Sequence, residues 1–408
     1  SLKTTDFQNE KPGTFTICQN IDWDHATLGA FLDVLYYFKE RGIQWEAFYL
    51  SFHARHQSFT SVLLQTVNGL NIFKKMILRL FFGDEDEYSA DCEYLFPGIN
   101  QNKQLESLEV YIVGTHRDRF EYDFTAFASH LREMTTLKEL AIIDMPHFNE
   151  QSFCESLSEN KSLEKLHLEF QYCNDIADEG ISNIVTSLAS HPKLEELQID
   201  TDGQFGELSS KAIERLLSKT QTLSSLDLYN NGFSGGLNTE CIVQGLKKNQ
   251  SLKSLTFVDS LYGDLMFSRF FQILPHCPNL EYLELEEGDI AKSDLEQVIH
   301  MGRLQKPIIL RIDNNVIRDN IAVMTKLLRC HPEVRLVVYD PGHVFDNNVE
   351  LDYICKLNWN GRYLMDRSTT SVPLSLWPIV LERVNDKPRI IYEFLKGPAF
   401  AARNDDSV

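Results

Sequence analysis

The sequence predicts an α/β fold: a right-handed solenoid with parallel strands on its concave face and helices on its convex face. Three observations carry that prediction. The stretch Leu223-Ser-Ser-Leu226-Asp-Leu228-Tyr-Asn-Asn231 has the form L-x-x-L-x-L-x-x-N, in which a short strand turns its leucines inward and an asparagine supports the following turn. The pattern returns in Leu163-Glu-Lys-Leu166-His-Leu168, Leu194-Glu-Glu-Leu197-Gln-Ile199, Leu252-Lys-Ser-Leu255-Thr-Phe257 and Leu280-Glu-Tyr-Leu283-Glu-Leu285. Between these strands lie single apolar faces at helical spacing, such as Ile181/Ile184/Val185/Leu188, Ile213/Leu216/Leu217 and Phe267/Phe270/Phe271/Leu274.

Aligned on their first apolar position, the units begin at Trp45, Phe73, Leu105, Leu137, Leu163, Leu194, Leu223, Leu252, Leu280, Pro307 and Val334. Successive steps are 28, 32, 32, 26, 31, 29, 29, 28, 27 and 27 residues. Such a period has room for a strand and a full helix. The chain resembles leucine-rich repeat proteins of the ribonuclease-inhibitor-like class, which implies a horseshoe with helices outside and protein binding along the concave sheet.

Taken in order, residues 1–44 read as an N-terminal cap or divergent first repeat, with a strand at Thr14–Cys18 and an apolar helix carrying Leu28, Phe31, Leu32, Leu35 and Phe38. Residues 45–341 hold about eleven repeats. An acidic insertion between Gly83 and Gly98 lacks the D-x-D-x-D-G order of a calcium loop and reads as solvated. The turn before each strand repeats too: Asn160-Lys-Ser-Leu163, Thr220-Gln-Thr-Leu223 and Asn249-Gln-Ser-Leu252, with His191-Pro-Lys-Leu194, Cys277-Pro-Asn-Leu280 and His331-Pro-Glu-Val334 as proline variants. Asn160 and Asn249 match the glycosylation pattern, but their shared repeat position points to turn chemistry, with side chains bonding to local backbone.

After Asp340-Pro341-Gly342 the leucine pattern stops, and residues 342–408 are expected to form a helical cap over the solenoid end. Leu357-Asn-Trp-Asn-Gly-Arg362, Leu376-Trp-Pro-Ile-Val-Leu-Glu-Arg383 and Ile391-Tyr-Glu-Phe-Leu395 are similar to C-terminal segments of leucine-rich repeat proteins of diatoms and related algae.

A formal charge of -20, from 59 acidic and 39 basic residues, argues against a nucleic-acid surface and favours a basic partner. No apolar run is long enough to span a membrane. The eight cysteines are scattered without a C-x-x-C, which points to a reducing, cytoplasmic setting. Because the sequence starts at Ser1, export stays an open question.

No nucleotide loop, nucleophile elbow or zinc-ligand spacing is present, so neither an enzyme nor a cofactor or metal site is expected. His53 and His56 read as surface or turn residues. The alternation of strand side chains instead marks a binding face. It carries Glu109, Tyr111, Glu139, Glu169, Glu196, Asp200, Asp227, Tyr229, Tyr282, Glu284, Glu286, Asp313 and Asp340, against Lys165 and Arg311. In one register Glu286, Asp313 and Asp340 would stack about 4.8 Å apart and repel by roughly 1 kcal/mol per pair.

The expected function is thus a non-catalytic, monomeric scaffold that binds a basic protein through its concave face. Two other readings stand beside it: a GTPase regulator of the Ran-activating type, which this chain resembles in repeat length and which would carry a long acidic tail, and a ubiquitin-ligase substrate receptor, which would need an adaptor module. Asn404-Asp-Asp-Ser-Val408 is too short for such a tail, and too few residues precede Trp45 for an obvious adaptor.

Overall fold

The computed structural model describes residues 14–17, 25–53, 57–82, 98–114, 125–144, 150–170, 176–203, 205–230, 236–262, 266–286, 290–302, 304, 306–338 and 348–359. His56, most of the acidic insertion, Asn231, Asp340 and the apolar segments at 376–383 and 391–395 lie outside them. The chain divides into two compact units, residues 1–236 and 237–408.

In the first unit the strands are β1 (Thr14–Ile17), β2 (Trp45–His53), β3 (Phe73–Phe82), β4 (Ser107–Gly114), β5 (Glu139–Ile143), β6 (Lys165–Glu169), β7 (Glu196–Thr201) and β8 (Ser225–Asn230). The helices are α1 (His25–Glu40), α2 (Gln57–Leu70), α3 (Thr125–Glu133), α4 (Glu150–Glu159), α5 (Asp178–Leu188) and α6 (Glu207–Lys219). All these strands pair in chain order and in parallel. This is the leucine-rich repeat arrangement, and its register equals the spacing in the sequence. Leu108, Leu140, Leu166, Leu197 and Leu226 form one row, and Val110, Ile142, Leu168, Ile199 and Leu228 form the next. Both rows are buried against the apolar helix faces, where Ile181, Ile184, Val185, Ile213, Leu216 and Leu217 lose nearly all solvent contact. A fully buried leucine contributes about 1.5–3 kcal/mol, so the rows are the main cohesive term.

The second unit contains β9 (Leu237–Asn238), α7 (Thr239–Leu246), β10 (Ser254–Val258), β11 (Leu261–Tyr262), α8 (Met266–Ile273), β12 (Tyr282–Glu286), α9 (Lys292–Ile299), β13 (Ile308–Ile312), α10 (Asn314–Asp319), α11 (Ile321–Cys330), β14 (Val334–Val337) and α12 (Val349–Trp359). Strands β10, β12, β13 and β14 are parallel, and β9 pairs with β11. The rung at β14 departs from the sequence alignment by one residue. Leu310 pairs with Leu336, not with Val337, so Arg335 and Val337 take the outer positions. Leu336 is buried and Val337 half-buried, and burial of the larger residue decides the register.

The turn ahead of each strand does more than the sequence implies. Asn160 Oδ1 accepts from Ser162 N (2.9 Å) and Leu163 N (3.0 Å), closing its own turn. Its Nδ2 donates to Leu131 O (2.9 Å) and Met134 O (3.4 Å) of the preceding coil. Asn102 reaches back to Phe73 O, Cys277 to Leu246 O and His331 Nε2 meets Val298 O, each from the same position. Asn249 Oδ1 closes its turn on Ser251 N and Leu252 N. Burial holds the His191 imidazole below its usual pKa, in keeping with Nδ1 acting as acceptor for Leu194 N.

This ladder continues past the last leucine unit. Asn358 follows His331 by 27 residues (358 − 331), the repeat step, and donates to Leu328 O, His331 O and Val334 O. Helix α12 thereby packs on α11 and β14, with Leu351, Ile354, Cys355 and Leu357 buried and Trp359 Nε1 donating to Leu336 O (2.8 Å). Helices are tied sideways as well. Asp178 of α5 caps α6 by accepting from Leu208 N and Ser209 N, both at 2.8 Å, and Asp294 of α9 caps α8 through Phe267 N and Ser268 N. Gly206 leaves room for the first of these caps, because a Cβ there would lie 2.5 Å from Asp178 Oδ2 and push the carboxylate aside.

Asn160→Ala is expected to lower stability by about 2–4 kcal/mol, since it strands buried donors and acceptors in two coils. Asn238→Ala, which removes an ordinary cap of α7, is expected to cost about 1 kcal/mol; midpoints of urea unfolding compare the two. Asn160 and Asn249 are 2% and 4% exposed. The folded protein secreted from a glycosylating host should therefore show no mass change at these residues on endoglycosidase treatment.

Candidate functional site

The sheet face opposite the helices is where charged side chains gather, because strand alternation places them there at every second residue. In the first unit the row of Lys75, Ser107, Glu139, Lys165, Glu196 and Ser225 is set by register alone. Lys75 pairs with Glu109, whose other oxygen accepts from Tyr111 OH (3.2 Å). Arg79 lies 4.9 Å above the Tyr111 ring and 5.5 Å above Tyr49. Burial, followed by the charge of Glu109, raises the Tyr111 pKa. Lys165 bridges Glu196 (3.1 Å) and Glu139 (3.8 Å), and its hydrogen bond to Glu196 holds its pKa above the usual lysine range.

Beyond Lys165 the face is acidic. Glu169 stands opposite Asp200, Gln198 opposite Asp227, and Asp200 opposite Tyr229. Gln198 Nε2 donates to both Asp200 oxygens, at 3.2 and 3.3 Å, and Ser225 Oγ donates to Asp227 (3.2 Å). Glu109, Glu139, Lys165, His167, Glu196 and Asp227 line a shallow depression of about 240 Å³.

The second unit uses its charges differently. Arg311 Nη1 and Nη2 meet Glu284 and Glu286, both at 2.7 Å, and Tyr282 OH donates to Glu284 at 2.7 Å. Glu284 is 5% exposed, so the guanidinium fork is its counter-charge in a poorly solvated place. Burial and then Glu284 push the Tyr282 phenol up to about 12. Burial also raises the Glu286 carboxyl, against the pull of Arg311.

The expected acidic stack of Glu286, Asp313 and Asp340 is therefore not what the described residues form. Glu286 is paired with Arg311. Asp313 lies past the end of β13 and caps α10, accepting from Asn315 N at 2.6 Å. Asp340 is outside the described residues. The fold also brings together His167, Glu169 and Asp200, which offer one ligand atom each, all within 4.8 Å of one another. Sequence reading passed over His167 because its partner is 33 residues away in Asp200 (200 − 167). The signal was available, since His167 and Glu169 occupy the fifth and seventh strand positions beside a seventh-position Asp200. Lys75, Arg79 and Arg335 were missed as basic residues of this face; Arg335 lies 5.8 Å from the Trp359 ring.

No protein-family model matches the chain, and no curated protein does. Among solved structures it is similar to a Bacteroides fragilis protein, with 13% identity, a TM-score of 0.42, and coverage of 79% of this chain and 85% of that one. It is also similar to the leucine-rich repeat-containing protein LegL7 of Legionella pneumophila, with 13% identity, a TM-score of 0.38 and coverage of 72% and 92%. A chain of the yeast Rad7–Elc1 complex has 13% identity, a TM-score of 0.29 and coverage of 71% and 83%.

Arg311→Ala should cost about 3 kcal/mol or more, because it leaves Glu284 buried without its cation; chemical unfolding reads this directly. Tyr282 sets an alkaline limit. Its folded pKa near 12 exceeds the unfolded value of about 10. The unfolded chain thus loses its proton first, and the stabilisation, complete below about pH 10, disappears as pH rises toward 12. Tyr282→Phe should flatten that part of the stability profile.

Proposed function

We propose that the chain is a non-catalytic protein-binding module, acting as a single chain, whose basic partner docks on the acidic sheet face of the first unit. The observation that carries this reading is the uneven charge of the two units. From β3 to β8 the outward positions hold six acids (Glu109, Glu139, Glu169, Glu196, Asp200, Asp227) against three bases (Lys75, Arg79, Lys165). In the second unit Glu284 and Glu286 are matched by Arg311 and Arg335.

A surplus of acids on this face holds a negative field that favours Lys- or Arg-rich surface and speeds its encounter. Tyr111 and Tyr229 border the surplus and supply the large, rigid contacts on which interfaces concentrate their affinity. In the second unit Glu284 is already bonded to Tyr282 and to Arg311, and Glu286 to Arg311, so these residues are left out of the proposed surface. The scattered cysteines, without a C-x-x-C pair, support a reducing compartment such as the cytoplasm. Burial raises the Cys277 and Cys355 pKa values to about 11 and about 12, which suits inert packing residues. No helix among the described residues is long and apolar enough to cross a membrane.

Affinity capture from the source cell, with mass spectrometry, tests the proposal. The parent chain should retain basic proteins that elute as salt rises. The combined variant Glu139→Gln, Glu196→Gln, Asp227→Asn should retain about tenfold less, with a flatter salt dependence. Equal capture of the same proteins by both chains at every salt concentration would remove the acidic face from the binding surface.

A further inference from the structure

The juxtaposition on this face that protein binding does not require is that of His167, Glu169 and Asp200. His167 and Glu169 are two residues apart on β6 and share its outer side, and Asp200 on β7 stands opposite Glu169. We propose that these three side chains form a binding site for a first-row divalent transition-metal ion.

The donor set decides the class of ion. Calcium asks for six or more oxygens and magnesium keeps most of its waters, so an imidazole with two carboxylates suits neither. One nitrogen and two oxygens, with a further position open to solvent, suit zinc or cobalt. Such an ion holds its ligand atoms about 3–3.5 Å apart. His167 Nε2 and Asp200 Oδ2 are already 3.5 Å apart, and closing the set brings the remaining pairs in from within 4.8 Å.

Two further observations point the same way. His167 Nε2 is enclosed and makes no hydrogen bond among the described residues, meeting Asp200 Oδ2 only at 3.5 Å. A metal ion takes up that lone pair. Gln198, by donating to both oxygens of Asp200, holds the carboxylate in the way outer-shell amides orient metal ligands. The side chains of His167 and Asp200 are 29% and 13% exposed, which leaves an entry path from the open face.

The test is calorimetric titration of Zn²⁺ into the chelator-treated full chain. One ion should bind per chain in about the micromolar range. Affinity should fall at least about tenfold in His167→Gln and in Asp200→Asn. Asp227→Asn removes the same charge from the neighbouring strand and should leave the affinity unchanged. Co²⁺ added to the parent chain should give a visible absorption band stronger than that of the aqueous ion, a readout that needs no variant to fold. Non-saturating uptake, an aqueous Co²⁺ spectrum, or equal loss in Asp200→Asn and Asp227→Asn would overturn the proposal. Since no partner is present in any of these measurements, they stand apart from the protein-binding reading.

Discussion

Many coils of this protein depend on a side chain placed three residues ahead of the first position of their leucine unit. Asn160 shows why. A helix end and a turn leave carbonyl and amide groups without partners, and in a stacked solenoid those groups are enclosed by the neighbouring coils, away from water. An asparagine there supplies an acceptor to its own turn and donors to the coil before it. One residue thus satisfies two coils and sets their spacing, which in turn holds the leucine rows in register.

The lateral caps repeat this logic on the helical side. Asp178 and Asp294 give their carboxylates to the first turn of a neighbouring helix instead of their own. Helix ends and turns are thus completed by neighbouring coils, from the preceding one at Asp178 and from the following one at Asp294 and Asn160. With the core side satisfied in this way, the opposite sheet face is released to carry charge. Asn358 in α12 shows the device also serving at a chain segment with no strand pattern.

How the charges are spent differs between the units. Arg311 occupies the outward position beside Glu284 and Glu286, and binds both. The corresponding neighbours of Glu169 and Asp200 include His167 and Gln198, which orient without supplying a permanent positive charge. Replacing one arginine by a histidine or glutamine in an otherwise similar row converts an internal ion-pair network into a surface that draws in cations.

The sequence by itself determined the repeat, the parallel register and which strand residues face outward, because a fixed period and a two-residue alternation are local properties of the chain. Leu140, Leu166 and Leu197 needed no tertiary information to be stacked correctly. It also placed Asn160 and Asn249 in turns, though not their reach into the coil before. Tertiary structure decided what outward residues do to each other. Asp313 looked equivalent to Glu286, yet helix α10 begins there and takes its carboxylate as a cap. Val334 looked like the start of a leucine unit, yet burial of Leu336 shifts that strand by one. His167 and Asp200, 33 positions apart, meet because β6 and β7 pair in the register that the repeat positions imply, and the fold sets how close they come. The physical reason is the same in the first two cases. Alternation fixes a side chain's direction, whereas its partners are set by the next coil, whose starting residue depends on turns and burial that no local pattern encodes.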